Sequence, residues 1–388
     1  MVEVANPGPL DQRARSYQRA RRRLGIARFV LNSAYLAALL FAGWSVGLRD
    51  LAWSWTENVW TAVLLYVLLL GGISRLLLLP LGFYSGYVLE HRYGLSNLRL
   101  GGWVKDLLKS MALGAAFGLP AVEILYYTLR RFPDSWWLLC WAMLAVFSIL
   151  MTQLAPVLLF PLFFKFQPLA NEDLRNRLLK LSERAGARVR DVMEWKLSAK
   201  SKKANAALVG LGNTRRIILA DTLVNPYTSE EIEGILAHEL AHHVHGDIWK
   251  GITLQLALSL AAFALADLAL RRFGPYFGYQ GIGDFANLPL LAAASTALSL
   301  IVLPLVNGFS RLRERRADDF ALRMIPDVNP FISSMNKLAE QNLSERRPNA
   351  WIEFFFHSHP SIEKRIRRAE AFRGTAEVRP DAQSSQGH

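Results

Sequence analysis

Four of the chain's eight histidines fall between positions 238 and 245, in the stretch "AHELAHHVHG". His238 and His242 are four apart, so on a helix they share one face and two imidazoles can converge on one metal ion. Glu239, the next residue along, is placed to act as general base on an attacking water. H-E-x-x-H is therefore a candidate metallopeptidase centre, with one zinc ion as its cofactor. A cluster of surface histidines is the bland alternative, and the upstream residues argue against it. In "NPYTSEEIEGIL" Thr228 can cap a helix with Glu231 three residues later, and Ile232, Ile235, Leu236 and Leu240 recur at helical spacing.

His243 points off the ligand face, and the extended pattern with a third histidine six residues after the second meets Ile248 instead. His243 and His245 are accordingly read as polar helix-end residues, and a third ligand must come from a distance. "SRLRERRADDFAL" offers Glu314 and Asp318, four apart on a helix. One carboxylate can bind the metal while the other accepts a hydrogen bond from a ligand imidazole. Solvated ion pairs with the neighbouring arginines are the competing reading. Further on, "FFFHSHPSIEKRIRRAEAF" supplies His357 and His359. His359, before Pro360 and a predicted helix, is the better candidate to donate to the oxyanion of a tetrahedral intermediate. Arg365 on that helix is either the partner of a site carboxylate or ordinary surface charge. Two short apolar strands, "ANAALVGLG" and "RRIILA", flank Asn213 and offer an edge that can hold an extended peptide by strand addition.

A membrane must position these residues. With 52% hydrophobic residues, eleven tryptophans and a mean hydropathy of +0.17, the 388-residue chain reads as a polytopic membrane protein. Cys140 is the sole cysteine and lies in an apolar run, which excludes an internal disulfide and a cysteine-rich metal knuckle. Much of the net charge of +13 flanks apolar blocks, as in "QRARRRLGIARF", so it reads as membrane orientation, with no nucleic-acid partner. Apolar blocks at about residues 28–48, 59–87, 107–129, 136–166, 250–270 and 285–309 each approach the roughly 20 residues that cross a bilayer. The first is read as an anchor, because its polar lead is long and no clear cleavage site follows.

The arginines of the N-terminal arm and Arg92, Arg99, Lys105 and Lys109 predict six crossings with the N-terminus in the cytoplasm. Residues 167–249 and 310–388 then share one side, and the even number of crossings between them is what lets Glu314 return to His238 and His242. Pro156 and Pro161 predict a break of the fourth block into a helix and a re-entrant piece. Arg75, Glu123 and Asp267 lie inside apolar blocks and are read as snorkelling or locally paired, Asp267 with Arg271, or as facing a hydrated cavity. The expected organisation is a basic arm (1–27), a membrane region (28–166), a first protease segment (167–249), a membrane hairpin (250–309), a second protease segment (310–373) and a disordered tail (374–388).

In this order of motifs the chain resembles the type I CAAX prenyl endopeptidases, integral-membrane zinc metalloproteases of the gluzincin kind. "YVLEHRYGLSNLRLGGWVKDLLKS", "APVLLFPLFFKFQPL" and "SAKSKKANAALVGLGNTRRIILADTLV" precede "HELAH", "SRLRERRADDFA" and "HSHPSIEKRI", so the resemblance covers nearly the whole length. It implies a mainly α fold whose spans form a water-filled chamber over a protease domain with a small β-sheet. It also implies His238, His242 and Glu314 as ligands, Glu239 as base, Asp318 supporting a ligand and His359 as transition-state donor. Asn205 would start the edge strand that receives substrate, and Glu123 and Asp267 would face the chamber. Two departures stand out: Ala207 replaces a common aromatic, and six spans are evident where the family has seven.

The expected partners are a peptide or protein with a hydrophobic or membrane-associated segment and the bilayer itself. Prenylation is a family trait with no pocket legible in these residues. The expected location is a bacterial inner membrane with the protease side cytoplasmic, or the endoplasmic reticulum of a eukaryote. Within the enzyme class the rival is a heat-shock quality-control protease of the HtpX type. Outside it, the rival is a membrane scaffold or transporter that holds zinc structurally, for which Glu239→Gln would be silent.

Overall fold

A computed structural model describes residues 8–210 and 215–377. Its N-terminal half comprises α1 (Pro9–Phe41), α2 (Trp44–Trp55), α3 (Val59–Phe83), continued through a π-helical turn into α4 (Leu89–Arg92), α5 (Leu100–Arg131), α6 (Trp136–Leu158) and α7 (Phe160–Phe163). The first protease segment follows as β1 (Phe166–Pro168), α8 (Glu172–Arg184), β2 (Asp191–Trp195), β3 (Ala206–Val209), β4 (Arg216–Ala220), α9 (Asp221–Val224) and α10 (Ser229–Val244). A helical hairpin, α11 (Asp247–Phe273) and α12 (Leu288–Met324), leads to α13 (Asn329–Gln341), α14 (Ala350–Phe356) and α15 (Ile362–Glu377).

Among the described residues six helical segments are long and apolar enough to cross a bilayer: those of α1, α3, α5, α6, α11 and α12. Helices satisfy their own backbone groups, which a lipid environment cannot do for them. α1 packs on α3, α3 on α5, α5 on α6, α6 on α11, α11 on α12, and α12 returns to α1. The spans thus close a ring. Only 0% to 17% of their apolar windows is buried, so the spans do not pack into a filled bundle.

One end of the ring is closed by Tyr66, Tyr126, Trp136 and Phe285, which cluster around a polar knot. There Arg49 Nη1 donates to Asp284 Oδ2 at 2.5 Å, Asp284 Oδ1 caps the amide of Ala286, and Tyr126 donates to Asn287. At the other end the two protease segments form one body. Its sheet has the order β1-β2-β4-β3, with β2 and β4 parallel and β3 antiparallel to β4, which leaves β3 at an edge. Leu178, Leu181, Val192, Ile217, Ile232, Leu236, Leu240, Phe331 and Met335 pack its core.

Several boundaries differ from the sequence reading. The basic arm is no separate unit: α1 is continuous from Pro9, and Tyr17 is fully buried against Leu89, Leu95 and Leu343. Arg22 pairs with Glu345 at 2.8 Å, so part of the arm's charge docks the protease body. The fourth block carries no re-entrant helix, since α6 runs through Pro156 and breaks at Leu159 into the single turn of α7. α2 was not anticipated; Gly43, at φ 71°, turns the chain into it. α15 extends into the expected tail as far as Glu377, and residues 378–388 lie outside the described residues.

Candidate active site

α10 begins with the capping box expected from Thr228 and Glu231, whose side chains each accept the other's backbone amide at 3.3 and 2.8 Å. Glu231 also accepts from Lys337 Nζ at 2.7 Å and Ser333 Oγ at 2.6 Å, tying the start of α10 to α13. Burial pushes the Glu231 carboxyl up, but these donors outweigh it and hold it below the usual carboxylate range. The helix ends at Val244 with His245 as its cap, and Gly246, at φ 66°, lets the chain reverse into α11 where a side chain would be strained.

On that helix His238 and His242 meet Glu314 of α12, and one ligand atom from each lies within 4.8 Å of the others. His238 Nε2 is 3.3 Å from Glu314 Oε2, and His242 Nε2 is 3.4 Å from Oε1. The opposite ring nitrogens are engaged: Nδ1 of His238 lies 2.9 Å from Asp318 Oδ1, and Nδ1 of His242 lies 2.9 Å from Asp247 Oδ2. A carboxylate accepts only, so in the neutral rings each Nδ1 carries the proton and each Nε2 presents a lone pair to the Glu314 oxygens. Lone pairs face lone pairs there, and Glu314 Oε2 is buried with no hydrogen-bond donor. Two imidazoles with one carboxylate are a metal donor set, and these three lie close enough together to hold one ion. Burial pushes the His238 imidazole down, yet Asp318 and Glu314 raise it to about 9, a preference for positive charge.

Asp318, 1% exposed, is held in turn by Arg365, whose Nη2 donates to Oδ1 at 2.6 Å. Glu239 follows His238 on α10, and burial pushes its carboxyl up in spite of the two histidines beside it, which suits a proton acceptor. His359 Nε2 lies 3.3 Å from Glu314 Oε1, with its side chain 61% exposed at the mouth of the site, and Ser358 bonds its Nδ1. His357 instead contributes its carbonyl to Arg311. Among the described residues His243 and His245 stay outside the metal group.

Asn205 immediately precedes β3, and its carbonyl accepts from the Ala220 amide at 3.0 Å. β3 packs along α10, the helix that carries His238 and His242, and is an edge strand of the sheet. The hairpin turn, Asn213 included, lies outside the described residues. Asp267 pairs with Arg271 at 2.9 Å and accepts from Trp136, whereas both oxygens of Glu123 are buried without a hydrogen-bond partner. Sequence reasoning missed Asp247. Its signal was an acid five residues after His242 at the first position of the next helix. The role of Arg365, left open by the sequence, is settled as the partner of Asp318.

A ring of membrane helices with an H-E-x-x-H helix and a distant glutamate on one face defines a membrane-embedded metallopeptidase. Residues 168–373 match peptidase family M48, and residues 11–165 match the N-terminal region of CAAX prenyl proteases, described as five membrane helices. The chain belongs to peptidase family M48, and it is a membrane metalloendopeptidase. An uncharacterized metalloprotease of Bacillus subtilis is 32% identical over 309 residues, covering 79% of this chain and 72% of the relative. CAAX prenyl protease 1 of Saccharomyces cerevisiae is 28% identical over 316 residues, covering 77% and 70%. The crystal structure of S. mikatae Ste24p shares the fold, with a TM-score of 0.85 at 24% identity over 95% of this chain and 91% of that one.

Proposed function

We propose that the protein is a zinc endopeptidase that cuts peptides or proteins carrying a hydrophobic or membrane-associated segment, with His238, His242 and Glu314 holding one zinc ion. The observation that carries this reading is the approach of both Nε2 atoms to the buried Glu314 carboxylate, at 3.3 and 3.4 Å, while each Nδ1 is held by another carboxylate. Two histidines and one carboxylate with a position left open suit zinc in a hydrolytic site. When bound, the metal supplies Lewis acidity toward water and the scissile carbonyl.

The chain's own residues do the rest. Glu239 takes the proton of the attacking water and returns it to the leaving amine, its raised affinity for protons serving the second step. His359 stands at the open side and donates to the oxyanion. Asp318 and Asp247 fix the ligand imidazoles, and Arg365 fixes Asp318. The edge of β3, from Asn205, receives substrate as an added strand. Residues 167–249 and 310–373 act as one protease unit interrupted by the membrane hairpin 250–309.

The basic N-terminal arm and the connection carrying Arg92, Arg99, Lys105 and Lys109 support a cytoplasmic protease side, in a bacterial inner membrane. The relative named CAAX prenyl protease 1 makes a C-terminally prenylated peptide the first lipidated substrate to test. The match of residues 11–165 to the prenyl-protease N-terminal region favours this type over a quality-control protease.

The test is zinc content and cleavage of a fluorogenic peptide, with and without a prenyl group, by detergent-purified wild type and Glu239→Gln. The expected result is one zinc in both proteins and cleavage by wild type alone, with a fall of at least ~10³-fold in the variant, the scale of losing a general base and its proton return together. Undiminished cleavage by Glu239→Gln overturns the mechanism, and the ratio of rates on the two peptides decides whether lipid matters.

A further inference from the structure

We propose that a second site, on the far side of Asp318 from the metal group, binds the phosphate of an anionic phospholipid headgroup. A cavity of about 320 Å³ opens there between α12, α14 and α15. Five cationic side chains and two carboxylates line it, and the pairing among them is uneven. Arg365 holds Asp318, Lys364 holds Glu353 at 3.0 Å, and Arg368 holds Asp319. Arg311 and Arg315 are left without a carboxylate among the described residues. Arg311, only 9% exposed, donates to the carbonyls of Glu353, Phe354 and His357, and Arg315 reaches only the carbonyl of Arg311, at 3.3 Å. A guanidinium that is mostly buried with no counter-charge calls for an anion, and its fork geometry suits a phosphate.

The bilayer supplies that anion by position. Arg311 lies one turn beyond Asn307 on a helix long and apolar enough to span, and Asn307 Nδ2 donates to the carbonyl of Phe355 at 2.6 Å, docking α14 beside it. α14 turns its aromatics outward, with Trp351 71%, Phe354 45% and Phe356 65% exposed. Exposed aromatic rings next to a span are the composition of a membrane interface, and cations at that level meet anionic headgroups. The two observations are independent, since α14 supplies the depth and α12 the unpaired charge.

The experiment is a calorimetric titration of the full-length protein in detergent with short-chain phosphatidylglycerol, and with phosphatidylcholine of the same chain length. Saturable binding of the anionic lipid alone is expected, weakened by ~10-fold or more in Arg315→Gln and largely kept in Arg315→Lys, the scale of one charge-assisted contact. Arg315 is exposed, so an unchanged thermal midpoint should accompany the loss. Equal binding by Arg315→Gln, or equal binding of phosphatidylcholine, overturns the site. Displacement of the lipid by inorganic phosphate at matching concentration overturns the lipid as its occupant and assigns the pocket to a soluble anion.

Discussion

Each ligand imidazole leans on a carboxylate of its own, His238 on Asp318 and His242 on Asp247. Partners of this kind fix tautomer and ring orientation, so removing one loosens the metal without touching a ligand. Asp247→Asn should lower zinc affinity ~10–100-fold in competition with a graded set of chelators, while His243→Ala, off the ligand face, should leave it unchanged. A normal affinity in Asp247→Asn would mean that the His242 ring is held by packing alone. His359→Ala should lower kcat by ~10²–10³-fold with zinc content intact, because a donor to the oxyanion acts only in the transition state. Loss of zinc in that variant would make His359 a ligand instead.

At the scale of elements, α10 is the part that must not fray, since both histidines sit on it. Its start depends on Thr228 and Glu231, and Thr228→Ala should cost about 1 kcal/mol in denaturant unfolding. The Glu231 carboxyl is depressed on folding, so its stabilisation is complete above the ordinary carboxylate pKa of about 4.3 and is lost as pH falls through the lower folded value. The stability gap between wild type and Glu231→Gln should therefore be level near neutral pH and close on acidification; a gap that widens in acid would contradict the pairing with Lys337. β3 has one free edge beside α10, so main-chain N-methylation of a peptide substrate should raise KM more than side-chain changes do. Side-chain changes that matter more would place recognition in pockets.

For the whole molecule, the closed end of the ring rests on the pair Arg49 and Asp284, whose side chains are 8% and 3% exposed. Removing Asp284 leaves the buried Arg49 guanidinium with only the exposed Asp50, which its Nε and Nη2 already hold at 2.9 and 2.8 Å. Asp284→Asn should lower the thermal midpoint in detergent by less than the about 3–5 kcal/mol of a fully stranded buried charge, because Asp50 stays on Arg49, and the double replacement Arg49→Met with Asp284→Leu should recover much of the loss. A thermal midpoint unmoved by Asp284→Asn would show that the aromatic cluster of Tyr66, Tyr126 and Phe285 closes the ring unaided.

Much of this protein is written locally and can be read from the chain. Helical spacing of His238 and His242, the cap at Thr228 and the lengths of the apolar blocks all depend on neighbours within a few residues or on the solvent, and the structure follows them. An even number of crossings was enough to place Glu314 on the side of the histidines. Spacing by itself left Glu314 and Asp318 on one helical face, and the crossing of α12 over α10 groups Glu314 with both Nε2 atoms and Asp318 with Nδ1 of His238. The tertiary structure likewise chose Asp247 and Arg365, docked the basic arm through Tyr17 and Arg22, and paired Arg49 with Asp284. Those contacts join residues far apart in the chain or across a reversal. No periodicity encodes them, because they exist only once helices that satisfy their own backbones are packed into a ring.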